Sequence, residues 1–175
     1  MEERFYDEFV TWHHKTPMGI KVDEVFGMDS KSGRVWMELA RQIFCEQGEP
    51  NYRVIEHYEN GAPYIPGINK FISISHCSVA VAVAISNAPV GIDIESLRYL
   101  RMQRVASKFI DAVSLDSDIG SPTMLAASWS AKEAVYKLHC GNGFTSHISI
   151  NYPSASHILT IRHTANYTLA VAVMR

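Results

Sequence analysis

The hydrophobic and polar positions change period several times along the chain, and each change marks an element. From Ser30 to Glu46, Val35, Leu39 and Ile43 recur at four-residue intervals with Trp36, Ala40 and Phe44 beside them. That is the apolar stripe of an amphipathic helix, ended by Pro50. Tyr52 to Tyr58 is extended in character, and Glu59 to Pro66 is a turn-rich connection. Phe71 to Ser75 then alternates strictly, setting Ile72 and Ile74 opposite Ser73 and Ser75, which predicts a strand. Val79 to Ile85 and Val90 to Glu95 are short, nearly continuous apolar runs separated by Asn87 to Pro89. Two sheet-core strands joined by a tight turn explain both.

Beyond these runs, Met102, Val105 and Phe109 make one apolar helical row and Arg101, Arg104 and Lys108 its basic neighbour, so a surface helix is expected. Ser121 and Pro122 have the types favoured at an N-cap and a first helical position, and Gly141 closes the pattern running from Met124 to Cys140. Three strand-like runs follow, Ser146 to Tyr152, His157 to Arg162 and Tyr167 to Val173, the last two forming a hairpin. Mixed strands and helices without a repeat, heptad array or low-complexity segment indicate an α/β or α+β fold.

Composition narrows the function. A chain of 175 residues can bury about two-thirds of its unfolded surface, enough for a core without disulfides or structural metal. Sixteen basic and 18 acidic residues leave a formal charge of −2, with no global pull toward nucleic acid or an anionic membrane. Cys45, Cys77 and Cys140 are too dispersed for a disulfide framework or a thiolate zinc site, which fits a reducing cytosol. No apolar stretch is long enough to span a bilayer, and the N-terminus lacks the layout of a signal peptide. A soluble, cytoplasmic protein is the expectation.

Two groups of residues carry candidate chemistry. Asp93 and Glu95 are two apart at a strand end, so their side chains leave one face with Cα atoms ~7 Å apart and can grip one cation. Hard oxygen ligands suit magnesium, which takes its other ligands from water and substrate phosphate; two solvated carboxylates are the plainer alternative. On the long helix Trp129, Glu133, Tyr136 and Lys137 share an arc of a little over a quarter turn at ~100° per residue. Here the plainer alternative is a Glu133–Lys137 surface ion pair at i, i+4, with Trp129 and Tyr136 as wall residues.

Together the fragments say more. Val90-Gly91-Ile92-Asp93-Ile94-Glu95 and Trp129-Ser130-Ala131-Lys132-Glu133-Ala134-Val135-Tyr136-Lys137 closely resemble, in order and separation, the two signature motifs of 4′-phosphopantetheinyl transferases. Val105-Ala106-Ser107-Lys108-Phe109 is similar to the family's helix between the motifs, and Phe71-Ile72-Ser73-Ile74-Ser75-His76 to its upstream strand ending in Ser-His. The resemblance runs from about Glu59 to Cys140. It implies transfer of the 4′-phosphopantetheine arm of coenzyme A to a serine of an apo acyl or peptidyl carrier protein, as in fatty acid or polyketide biosynthesis, with 3′,5′-ADP released. It also implies Asp93, Glu95 and Glu133 on magnesium, Lys137 near the phosphates, and Ser75 and His76 as phosphate contacts. Glu133 could be ligand, base or both. The expected fold is a single domain over 1–175, a pseudo-dimer of two small sheet-plus-helix halves, about 1–88 and about 89–175, with the site between them. The carrier, acidic around its serine, would dock on the basic row Arg101, Arg104 and Lys108.

The likeness thins in two places. The family's turn before the Ser-His strand reads Gly-Lys-Pro, whereas Gly61-Ala62-Pro63 stands here, removing one cation from the nucleotide's surroundings. The N-terminal half is also short, and Lys31, Arg34 and Arg41 are candidates for the coenzyme's 3′-phosphate by charge alone. These departures motivate a rival, a relative that binds coenzyme A or carrier protein without transfer. A hydrolase built on Ser75 and His76 is disfavoured: no Gly-x-Ser-x-Gly elbow, phosphate loop or His-Glu-x-x-His is present, and neighbours on a strand point to opposite faces.

Overall fold

The computed structural model describes residues 10–15, 21–26, 55–97, 99–109, 121–139 and 157–174. The expected helix at 30–46, the strand at 146–152, Gly141, and Lys31, Arg34 and Arg41 lie outside them. Among the described residues every strand pairing is antiparallel, so the mixed fold is α+β.

The first sheet has the order β1 (Val10–Lys15), β2 (Lys21–Phe26), β6 (Ala80–Ser86), β5 (Phe71–His76). The second has the order β7 (Val90–Ser96), β9 (Tyr167–Met174), β8 (His157–His163). A small hairpin of β3 (Glu56–His57) and β4 (Pro63–Tyr64) closes through Gly61, whose φ of 84° a side-chain-bearing residue rarely adopts. Thus the apolar runs at 79–85 and 90–95 are both strands, but they do not form a hairpin. β6 pairs with β2 and β5, β7 pairs with β9, and the turn between them carries the chain from one sheet to the next.

That crossover explains why both runs are rich in apolar residues: each strand is largely buried on both faces. Ala80, Ala82 and Ala84 of β6 meet Val90, Ile92 and Ile94 of β7 and Leu169, Val171 and Val173 of β9 in one core layer. The opposite face of β6, Val81, Val83 and Ile85, is buried as well. On the far side of the second sheet lies the second of the described α-helices, α2 (Pro122–His139), whose Ala134, Val135 and Leu138 pack on Ala170 and Ala172. The order of layers is sheet, sheet, helix.

The other described α-helix, α1 (Tyr99–Val105), is shorter than the sequence pattern predicts, because a 3-10 turn at Ala106–Lys108 replaces its last turn. Met102 and Phe109 are buried against Leu125, with Val105 and Trp129 packed alongside, so the predicted apolar row does seat the segment. The α-helix ends at Val105, and Lys108 closes the 3-10 turn that follows. Arg104 is exposed, while the side chains of Arg101 and Lys108 lie outside those described. Ser121 caps α2 as expected, its hydroxyl accepting the Met124 N–H at 3.3 Å.

Candidate functional site

The site begins at a glycine. A Cβ on Gly91 would lie 1.9 Å from the Ala134 carbonyl oxygen and 2.5 Å from the Leu138 nitrogen, so no other residue lets α2 rest its backbone directly on β7. Small residues on the same helix face, Ala126, Ala127, Ser130 and Ala134, keep the approach close. With the 134–138 turn set on Gly91, the flanking Glu133 and Lys137 arrive over Asp93, which alternation puts on the same strand face.

Asp93, Glu95 and Glu133 each offer a carboxylate oxygen within 4.8 Å of the others. Asp93 is 2% exposed, and its two oxygens are treated differently. Oδ1 accepts the Ser75 hydroxyl at 2.8 Å and the Lys137 ammonium at 2.9 Å. Oδ2 is buried and, among the described residues, has no hydrogen-bond partner. A buried carboxylate oxygen left so is costly, and a hard cation held jointly with Glu95 and Glu133 would satisfy it. The residues present therefore fit a divalent ion of the magnesium type.

Electrostatics agree with the geometry. Burial, then the negative charge of Asp93, pushes the Glu133 carboxyl up from 4.5 to about 7, with Lys137 and the Trp129 indole pulling the other way. Two acids brought together in a poorly hydrated spot share a proton or a cation. Burial is also the first cause raising the Cys77 thiol, with the charges of Glu95 and Asp93 adding to it, so this cysteine is a packed thiol rather than a thiolate.

Lys137 reaches inward from α2 to β7. Its ammonium donates to Asp93 Oδ1 and to the Ile92 carbonyl at 3.0 Å, tying α2 to β7. Trp129 meets Phe109 edge-on at 5.2 Å between centroids, linking α2 to the segment after α1 as a wall residue would. Ser75 is 7% exposed and turned inward, its oxygen also accepting the Ile94 N–H at 3.3 Å. His76, next along β5, is exposed. Ser75, which the resemblance implies as a phosphate contact, is thus tied to Asp93 and to the backbone of β7. In the Gly-Ala-Pro turn the Ala62 N–H is taken by Asn60 Oδ1 at 3.1 Å.

Gly91 and Ser73 were not singled out by sequence reasoning. An isolated glycine inside a strand pattern does signal close backbone approach. Ser73, whose hydroxyl accepts the Ile92 N–H at 3.0 Å, gives no such signal, because alternation alone cannot tell an inward polar face from a solvated one.

Comparison with family models matches residues 89–170 to the 4′-phosphopantetheinyl transferase superfamily. No curated protein matches the chain. The matched segment holds Asp93, Glu95, Glu133 and Lys137, and it starts after Ser75 and His76. At residues 89–170, then, the chain carries a domain of the 4′-phosphopantetheinyl transferase superfamily.

Proposed function

We propose that the protein is a magnesium-dependent 4′-phosphopantetheinyl transferase acting on an apo acyl or peptidyl carrier protein. The observation that carries this reading is the buried, unpartnered Asp93 Oδ2 within a three-carboxylate cluster on the strand and helix of the superfamily domain. In this reading Asp93, Glu95 and Glu133 would hold the magnesium ion. When bound, the ion offsets the charge of the pyrophosphate and of the phosphate being transferred. The carrier serine oxygen forms a bond to the β-phosphorus as the bond to the leaving 3′,5′-ADP breaks. Glu133, besides being a ligand, is in this reading the group that receives the serine proton. Lys137 lends positive charge beside the phosphates while holding Asp93 in place, and exposed His76 supplies a phosphate contact.

The whole chain, 1–175, is in this proposal one domain, a pseudo-dimer with halves of about 1–88 and 89–175. Two sheets packed face to face, with crossover at Asn87 to Pro89, support that division. The carrier docks on the surface of Arg101, Arg104 and Lys108, of which exposed Arg104 is the described member. Among the described residues no helix is long and apolar enough to cross a membrane, which accords with a cytoplasmic enzyme.

Incubation with coenzyme A, magnesium and a panel of apo carrier proteins, followed by mass spectrometry of the carriers, tests the proposal. A mass gain of one phosphopantetheine on a serine is expected. Binding of coenzyme A with no gain on any carrier would favour a catalytically impaired relative that binds without transfer.

A further inference from the structure

Among the described strands β7 lies at the edge of its sheet, so half of its N–H groups face away from β9 and need acceptors elsewhere. Two serines of β5 meet that need. Ser73 accepts the Ile92 N–H at 3.0 Å and Ser75 accepts the Ile94 N–H at 3.3 Å, a pair of rungs two residues apart on each strand. The rungs differ in what the hydroxyl proton does. Ser75 donates its proton to Asp93 Oδ1 at 2.8 Å, and a hydroxyl has only one to give. With its oxygen fixed by the Ile94 N–H, that donor is locked in direction.

The direction matters because rotation about the last bond of an aspartate is soft and nearly two-fold. Left to itself, the carboxyl group of Asp93 could exchange its oxygens or tilt toward Lys137, whose ammonium is 2.9 Å from Oδ1. Ser75 and Lys137 approach Oδ1 from different elements, β5 and α2, and together they fix the plane of the group. Oδ2 is the oxygen that remains.

We infer that Ser75 is a positioning residue of the cation site, acting through Asp93 by holding Oδ1 so that Oδ2 is the oxygen presented to the ion. This rests on the proposed reading of the carboxylate cluster as a magnesium site. Its consequence is that the site is incomplete within residues 89–170: the first sheet, through β5, supplies part of its support.

Manganese(II) titration of the full-length protein, followed by electron paramagnetic resonance, tests this directly. Ser75→Ala should weaken binding by about tenfold or more, the usual cost of losing an outer-sphere partner. Ser73→Ala removes the equivalent backbone rung without touching a carboxylate and should leave affinity within about twofold of the parent. Ser75→Cys, which keeps the volume but offers only a weak donor, should show the same loss and serves if the alanine variant does not fold. Parent-like affinity in the Ser75 variants, or equal losses at Ser73 and Ser75, would overturn the inference alone. A parent protein that binds no manganese would overturn the magnesium reading and this inference with it.

Discussion

β5 and β7 lie next to each other and alternate in the same period, yet they spend their polar residues in opposite ways. β5 turns Ser73 and Ser75 inward, where the hydroxyls satisfy the backbone of β7. β7 turns Asp93 and Glu95 toward α2, where Glu133 joins them within 4.8 Å. One strand uses buried polarity to remove an unsatisfied edge; the other gathers like charge around a buried carboxylate oxygen, Asp93 Oδ2, that has no hydrogen-bond partner among the described residues. The first use completes backbone bonds and, through Ser75, reaches Asp93, whereas the second leaves a buried oxygen without a hydrogen-bond partner among the described residues. Buried polar groups that complete each other's bonds stabilise a fold, and those left incomplete mark where a ligand belongs.

The comparison breaks most severely at Lys137. Its ammonium is the one described cation bonded to Asp93, whose side chain is only 3% exposed. Lys137→Ala should lower turnover by about a hundredfold and destabilise the protein by about 2–3 kcal/mol, less than a fully buried pair would lose because the lysine is 25% exposed. Steady-state kinetics and thermal unfolding read both. A rate within a few-fold of the parent would confine Lys137 to holding Asp93.

Gly91→Ala attacks the helix contact rather than the charges. A methyl group 1.9 Å from a helix carbonyl forces α2 off β7, and about 3 kcal/mol of stability should go with it. Thermal unfolding measures the loss, and manganese affinity should fall as Glu133 leaves Asp93. An unchanged melting temperature would mean that the helix does not depend on the glycine.

The charge gathered on β7 can also be read by pH. Glu133 titrates at about 7 in the folded, metal-free protein and near 4.5 when exposed, so the folded state holds its proton more tightly. This group's contribution to stability is therefore fully present below 4.5 and declines as pH rises through 7. Cation affinity should climb over the same window, since the ion must displace that proton. Glu133→Gln should flatten the pH dependence of thermal stability without added metal, while Ser73→Ala on the other strand should not alter it.

The smallest effect is expected away from both strands. Reversing charge at Arg101 and Arg104 should raise the Michaelis constant for the carrier a few-fold at low salt and weaken its salt dependence, with coenzyme A binding unchanged. An unaltered constant would return these residues to a solvated face.

What could be read in advance follows from how local each signal is. The capped helix at Ser121, the strands on either side of Asn87 to Pro89 and the terminal hairpin follow from period and turn chemistry. So does the common face of Asp93 and Glu95, because alternation is a property of the strand itself. Partner choice is not local: that β6 and β7 sit in different sheets depends on β2 and β9, which are distant in sequence. The inward serines escaped for the same reason, since Ile72 and Ser73 are equally buried once a second sheet covers the polar face. The end of α1 at Val105 was also missed. Its apolar row fits both a continuous helix and one that tightens into a 3-10 turn, and packing of Phe109 against Leu125 accompanies the second.

The central claim is that the cluster around Asp93 binds the ion on which phosphopantetheine transfer depends. Transfer rate measured against magnesium concentration, for the parent and for Asp93→Ala with the fold checked by circular dichroism, tests it most directly. The parent rate should saturate with magnesium, and the variant should show no transfer at any concentration that saturates the parent. Near-normal turnover of Asp93→Ala at low magnesium would contradict the claim.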